Sequence, residues 1–197
     1  LPPLEPRTLN EQQIQSLKNI CDRLLPFYRS KNRKWLASDE DVPLRAKARP
    51  WRDRAIVFVL LSTGLRREEL VNLNLSQLNP TEFDDLRQVR RGRINGVTGK
   101  GKTQRDVFLS LDARRALADY LEKEHPNDVT TETEEETPLF LTAIEVSARR
   151  SDGRLSPRSV NNILEKIGKW HDADITDEAR HISPLRPHDL RHTFAFQ

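Results

Sequence analysis

The run AIVFVLL at residues 55–61 is apolar at every position. A helix that is apolar on all sides has to be buried on all sides, so we predict a buried helix over residues 51–62. Gly64 follows close behind, and glycine readily adopts the left-handed backbone that closes many helices. Beyond it, Leu65 and Leu70 are expected to face a core.

Helical spacing and capping residues predict further helices on both sides of this run. The first covers residues 8–28, with Thr8 and Glu11 as its capping box. The polar residues 29–50 that follow are expected to form a loop or an insertion, and the proline-rich residues 1–7 a linker. Later helices are expected to begin at Arg66, at Asp112, at Ser156-Pro157 and near His188.

Alternating apolar residues predict two strands, residues 89–97 and 105–109, joined as a hairpin by a turn at residues 99–103. Residues 138–142 are the candidate third strand. The predicted fold class is therefore α+β and mainly helical, with a small antiparallel sheet of three strands, in one domain over residues 8–197.

Two distant segments carry arginine in a helical context. Residues 63–70 read TGLRREEL, with Arg66 at a helix start. Residues 187–195 read PHDLRHTFA, with His188 and Arg191 one helical turn apart. Between them lies the turn GKGK at residues 99–102. Each segment alone has a simpler interpretation: a helix end followed by a new helix, a solvated or capping histidine–arginine pair, and a hairpin with solvated lysines.

Together these residue types suit cleavage of a phosphodiester without a metal ion. The transition state concentrates negative charge on two non-bridging oxygens, which preorganised cations stabilise. Arg66 and Arg191 can each offer a planar pair of donors to one phosphate. His188 can donate a hydrogen bond or exchange a proton, and Lys100 on the hairpin turn can protonate the leaving 5′ oxygen.

In this order, the three segments resemble the tyrosine recombinases, or phage-type integrases. The resemblance implies that Arg66 and Arg191 bind the scissile phosphate and that His188 is the histidine of the second motif. It implies that Lys100 acts as general acid. Glu69 corresponds to the family's acid three residues after the first arginine and is expected to orient Arg66 or His188.

One spacing departs from the family pattern. The separation between Arg66 and the lysine turn is longer than usual, and the excess lies in residues 79–93. The choice of lysine therefore stays open, with Lys102 as the alternative to Lys100.

The family attacks the phosphate with a tyrosine and forms a 3′-phosphotyrosine link, with neither a metal nor a nucleotide cofactor. Tyr28, at the end of the first helix, and Tyr120, on an amphipathic helix, do not fit that role. We expect the nucleophile and the domain's C-terminal helices beyond Gln197, so these 197 residues should bind DNA without cleaving it. Methionine is absent even at position 1, which also suggests a piece of a longer chain.

A block of positive charge covers residues 86–105 and contains no acidic residue. Such a block is the electrostatic footprint of a polyanion, although a solvated basic hairpin would look the same. The acidic residues 128–136 are expected on a loop away from the duplex, because DNA would repel them. The candidate contacts to double-stranded DNA are Arg87, Arg90, Arg91, Arg93 and Arg105.

The composition of the chain indicates the cellular compartment. Cys21 is the only cysteine, which argues against a disulfide framework and a cysteine-rich metal site. The sequence has no signal-peptide pattern and no apolar run long enough to span a membrane. These features fit a reducing cytosol, and the resemblance implies association with a bacterial nucleoid.

The expected function is site-specific DNA recombination or integration, by strand cleavage and rejoining in tetramers on paired sites. Type IB topoisomerases and telomere resolvases are alternatives with the same phosphate chemistry. A non-catalytic DNA-binding protein of this fold is the alternative from another class.

Overall fold

The computed structural model of the chain describes residues 7–29, 44–130 and 136–197. The predicted linker up to residue 6, most of the predicted loop at 29–50, and residues 131–135 of the acidic segment lie outside the described residues. The helices are α1 (Glu11–Asp22), α2 (Leu24–Arg29), α3 (Pro50–Thr63), α4 (Arg67–Val71), α5 (Phe83–Gln88), α6 (Leu111–Lys123), α7 (His125–Asp128), α8 (Pro157–Asp174) and α9 (Pro187–Ala195). The strands are β1 (Leu78–Asn79), β2 (Gly92–Thr98) and β3 (Gln104–Leu109).

Helix α3 is the centre of the fold, as its apolar run predicts. Every side chain from Ala55 to Leu61 is at most 5% exposed. The helix packs against α1, α2, α6, α8, α9 and β3. Gly64 closes it in the left-handed conformation, with its N–H donating to the carbonyl of Leu60.

The sheet is antiparallel in the order β1-β2-β3, which confirms the predicted class of mainly helical fold with three strands. Its third strand, however, is β1 rather than residues 138–142. That segment makes single bridges, from Pro138 to Asn74 and from Leu141 to Arg154. Its three apolar residues are fully buried between these neighbours, so it is extended without joining the sheet.

Local chemistry explains where helix ends differ from expectation. The first predicted helix is two helices, because Pro26 has no N–H to donate to the carbonyl of Asp22. Asn10 rather than Thr8 caps α1, in a reciprocal pair with Gln13. Ser110 rather than Asp112 caps α6.

Two charged segments also differ from expectation. Asp128, the first residue of the predicted acidic loop, ends α7 and is fully buried, with its carboxylate 2.6 Å from both Nε and Nη2 of Arg49. The extra residues at 79–93 contain helix α5, which lies between the first two strands in sequence. The helix starts at Ser156-Pro157 and near His188 are confirmed.

Candidate phosphate-binding site

The turn after α3 brings the two arginine motifs together. Gly64 has φ of +60°, and a Cβ there would lie 2.3 Å from Cδ1 of Phe194 on α9. Its carbonyl accepts a hydrogen bond from Nη1 of Arg191, which lies 127 residues further along the chain. Both the backbone conformation and the close approach of α9 therefore require glycine here. The contact holds Arg191 beside the segment that carries Arg66.

Arg66 is held by Glu69 across the first turn of α4. The backbone N–H of Arg66 donates to Oε2 of Glu69 at 2.8 Å, and Nη1 of Arg66 lies 3.2 Å from Oε1. The Arg66 side chain is 50% exposed, whereas that of Glu69 is 4% exposed. A buried carboxylate thus anchors a guanidinium that stays open to solvent. Glu69 contacts Arg66, one of the two residues that it was expected to orient.

Glu69 binds a second arginine from the hairpin. Nη1 and Nη2 of Arg105 lie 2.9 and 2.8 Å from Oε1 and Oε2 of Glu69, a two-pronged contact. Burial raises the pKa of Glu69, but hydrogen bonds from Arg105 and Arg66 outweigh burial and lower it to about 2. Glu69 is therefore ionised at neutral pH and serves both arginines at once.

Helix α9 presents the second motif. Pro187 occupies its first turn, where the missing N–H costs no helical hydrogen bond. His188 and Arg191 follow on one face, and both line the same cavity as Arg66. The ring of His188 stands edge-on to that of His192, with centroids 4.8 Å apart. The sequence-predicted pair is thus brought to the first arginine motif.

Positive charge is in excess at this point. Burial lowers the pKa of Arg191, and the charges of Arg66 and Arg105 lower it further, while Glu69 raises it. Burial is the larger cause of this lowered pKa, and repulsion from the two neighbouring arginines adds to it. A bound anion would relieve this repulsion, so the arrangement suits a phosphate group.

The cavity has a volume of about 540 Å³ and contains two cations that the sequence did not single out. Arg67 and Arg186 both line it, beside Arg66 and His188 respectively. Arg67 also contacts Glu68 on its own helix. Their only signal was adjacency to the two motifs, since Arg67 follows Arg66 and Arg186 precedes the PHDLR segment.

The lysine turn lies outside this cavity. Lys100 and Lys102 are both exposed, and neither lines the cavity. The N–H of Gly99 donates to the carbonyl of Thr103 at 2.8 Å and closes the turn. Lys102 has φ of +60°, a conformation that is unfavourable for a residue with a side chain. The position of the turn does not favour one lysine over the other.

The predicted basic block divides into paired and unpaired arginines. Arg87 is bound to Asp119 at 3.0 Å and also to Glu122 and Asp84, so nearby acids already neutralise its charge. Arg105 is bound to Glu69. Within the basic block, all of which the structure describes, the exposed arginines without an ion pair are Arg90, Arg91 and Arg93.

Neither tyrosine lies at the site. Tyr120 is fully buried, and its hydroxyl oxygen accepts the N–H of Leu141 at 3.1 Å. Tyr28 donates to the carboxylate of Asp53, and burial raises its pKa well above the usual range. Neither residue lines the cavity that holds Arg66 and Arg191.

The sequence profile of the phage integrase family matches residues 7–197. The chain belongs to this family. The resemblance that the two arginine motifs and the lysine turn carry is thereby confirmed.

Relatives and solved structures agree with the family. The chain is 32% identical over 156 residues to tyrosine recombinase XerC of Thermodesulfovibrio yellowstonii, covering 79% of the chain and 44% of the relative. It is 36% identical over 146 residues to XerC of Pelobacter propionicus, covering 73% and 37%. The chain therefore spans less than half the length of these family members.

Two crystal structures match the fold of this family member. XerA recombinase superposes with a TM-score of 0.56 at 25% identity, over 99% of the chain and 50% of that protein. XerH site-specific recombinase, in a pre-cleavage complex with its difH substrate, gives 0.60 at 18% identity, over 96% and 42%. No helix in the described ranges is long and apolar enough to cross a bilayer.

Proposed function

We propose that this chain supplies the phosphate-binding site of a site-specific DNA recombinase. The supporting observation is the convergence of Arg66 and Arg191 on one cavity, joined through the carbonyl of Gly64. Two arginines from separate segments, in local excess over acids, can hold both non-bridging oxygens of one phosphodiester.

The proposed reaction assigns a role to each group. A tyrosine that is neither Tyr28 nor Tyr120 loses its hydroxyl proton to solvent and attacks the phosphorus, so that a 3′-phosphotyrosine bond forms as the bond to the 5′ oxygen breaks. The 5′ oxygen leaves and takes a proton from Lys100 on the hairpin turn. Rejoining is the reverse, when a 5′ hydroxyl attacks the phosphotyrosine. Arg66 and Arg191 stabilise the charge that develops in both directions, and His188 donates a hydrogen bond to the phosphate.

We further propose that the unpaired arginines of the basic block contact the duplex beside this site. Arg90, Arg91 and Arg93 are exposed and lie at the start of β2. The whole protein is proposed to work as a tetramer on paired DNA sites, on the nucleoid in the bacterial cytoplasm. Relatives named tyrosine recombinase support the recombinase function itself.

The affinity of the chain for duplex DNA tests the proposal. Phosphate contacts release counterions, so the affinity of the wild type should fall steeply between low and high salt. Arg66→Ala and Arg191→Ala should each weaken binding. Arg23→Ala, which removes a charge from an exposed pair with Asp174, is the matched control and should bind like the wild type. A wild-type affinity that ignores salt would contradict the proposal.

The lysine assignment has its own test, in a form of the protein that carries a nucleophilic tyrosine. Lys100→Ala should slow cleavage by about 100-fold or more, as expected on losing a general acid. A substrate with sulfur at the 5′ bridging position should restore the rate, because a thiolate leaves without a proton. If Lys102→Ala shows this rescue instead, Lys102 is the acid.

A second candidate function is DNA binding without cleavage. The positions of Tyr28 and Tyr120 away from the cavity favour it. The two functions differ in one product. A recombinase forms a covalent adduct with a suicide DNA substrate, and this adduct survives denaturation of the protein, whereas a protein that only binds DNA forms none. Recovery of that adduct from a tyrosine-bearing form of the protein would exclude the second candidate.

A further inference from the structure

We infer that Arg105 is a positioning residue that acts on Arg66 through Glu69, rather than a direct DNA contact. The inference rests on the proposed function, because it assigns Arg105 the role of keeping the phosphate-binding residue Arg66 in position. Arg105 does not line the cavity, whereas Arg66 does.

The strand that carries Arg105 directs it inward. Along β3, Val107 and Leu109 are buried, and Arg105 shares their face because alternate residues of a strand point the same way. Phe108 on the opposite face is 61% exposed. Arg93 lies on that opposite side of the hairpin, since it is the register partner of Phe108. Two arginines of one basic block thus serve different surfaces.

The hydrogen bonds at Glu69 show how Arg105 affects the contact between Glu69 and Arg66. Both carboxylate oxygens accept from Arg105 at 2.8–2.9 Å, while only one side-chain contact, at 3.2 Å, reaches Arg66. Glu69 is a buried anion, and without Arg105 its whole charge would act on Arg66. The carboxylate would then compete with phosphate for the Arg66 guanidinium. Arg105 therefore keeps Arg66 oriented and available.

Arg105 also connects this pair to the lysine turn. A Cβ built on Gly99 would lie 3.3 Å from Nη1 of Arg105 and 3.3 Å from Oε1 of Glu69. The backbone immediately before Lys100 thus packs on the Arg105–Glu69 pair. Loss of Arg105 would disturb the support of the lysine turn as well as Arg66.

A double-mutant cycle on this chain tests the inference, with inorganic phosphate as the probe and calorimetry as the readout. Arg105→Ala should weaken phosphate binding by about tenfold in the wild-type background, a coupling typical of contacting residues. In the Glu69→Gln background the same change should have less than about a threefold effect. Arg23→Ala, the matched control, removes an exposed arginine that does not line the cavity and should leave phosphate affinity unchanged.

The outcomes separate the inference from the function beneath it. Equal losses in the two backgrounds would mean that Arg105 contacts the anion itself, which would overturn the inference alone. A wild type that binds no phosphate would overturn both. If Arg105→Ala does not fold, Arg105→Lys takes its place, because lysine keeps the charge but cannot bind both carboxylate oxygens. Wild-type phosphate affinity in that variant would also overturn the inference.

Discussion

At its N-terminal end, α3 starts among buried charges that are matched against one another, whereas its C-terminal end leads to arginines that outnumber the nearby acids. At the first end, Nε and Nη2 of Arg52 lie 2.9 and 2.8 Å from Asp53. Glu124 accepts the backbone N–H groups of Trp51 and Arg52 at 3.1 and 2.9 Å and so caps the helix. None of these residues lines the cavity.

At the second end, Arg66 and Arg105 both bind the buried carboxylate of Glu69, and the charges of Arg66 and Arg105 also act on Arg191. The residue types are the same as at the first end, so composition does not separate the two clusters. The two clusters differ instead in their balance of charge and in their exposure to solvent. A balanced, buried cluster stabilises the fold, while a partly exposed cluster with surplus cations can bind an anion.

The two capping glutamates show this contrast in their pKa values. Burial raises the pKa of Glu124 to about 7, despite the hydrogen bonds it accepts. The pKa of Glu69 is about 2, because two arginines outweigh the effect of burial. The pKa of a glutamate that caps the start of a helix can therefore be raised or lowered, depending on the burial and the charges around it.

The largest stability effect is expected from breaking the balanced cluster. Asp53→Ala would leave Arg52 buried without its carboxylate, and losing one partner of a buried pair costs about 3–5 kcal/mol. Chemical denaturation would measure the loss. Asp174→Ala, which breaks the exposed pair with Arg23, should cost no more than about 1 kcal/mol. Similar losses for the two variants would remove the distinction between structural and surface pairs.

Removing a charged residue from the cluster at the C-terminal end of α3 should lower DNA cleavage rather than stability. In a tyrosine-bearing form, Arg191→Ala should lower cleavage by about 100- to 1,000-fold, the usual effect of losing a donor to developing negative charge. Its free energy of unfolding should change by no more than about 1 kcal/mol, since repulsion among the arginines is relieved as one hydrogen bond is lost. A large loss of stability with intact cleavage would reverse the roles of the two clusters.

A smaller effect is expected at the junction between the arginine motifs. Gly64→Ala places a side chain at φ of +60° and against Phe194, and such strain costs about 1–3 kcal/mol. Because α9 would shift, DNA affinity should also fall. Thermal unfolding and DNA binding measured on one preparation would check both. Unchanged DNA affinity in a destabilised variant would show that the glycine serves only the fold.

The last effect is a dependence of stability on pH, which is spread over more than two pH units. A pKa raised from 4.5 to about 7 means that protonation of Glu124 favours the folded state. This contribution is complete below about pH 4.5 and is lost as the pH rises to about 7. Relative to Glu124→Gln, the wild type should lose up to about 1.4 kcal/mol per pH unit in that window. Parallel stability curves for the two proteins would contradict the raised pKa.

Local signals predicted the elements that local chemistry determines. The apolar run and Gly64 identified α3, and Ser156-Pro157 identified α8. The third strand was assigned wrongly because residues 138–142 have the pattern of a strand, and only tertiary packing decides which neighbours an extended segment meets. The break at Pro26 was a local signal that helical spacing on both sides obscured.

At the site, too, local motifs could be predicted from the sequence, whereas contacts between distant residues could not. Arg66, His188 and Arg191 could be proposed from the sequence because each lies in a motif with fixed spacing, and all three line one cavity. The different states of Arg87, Arg93 and Arg105 could not be found, because pairing depends on acids that are distant in sequence. Glu122, which neutralises Arg87, lies on α6, and Glu69, which binds Arg105, lies on α4.

The most direct test of the charge-excess account is a crystal structure of the chain bound to duplex DNA. We expect a backbone phosphate between Arg66 and Arg191, with His188 within hydrogen-bond distance and Arg105 still bound to Glu69. A duplex bound on another face, with no phosphate at Arg66 and Arg191, would contradict it.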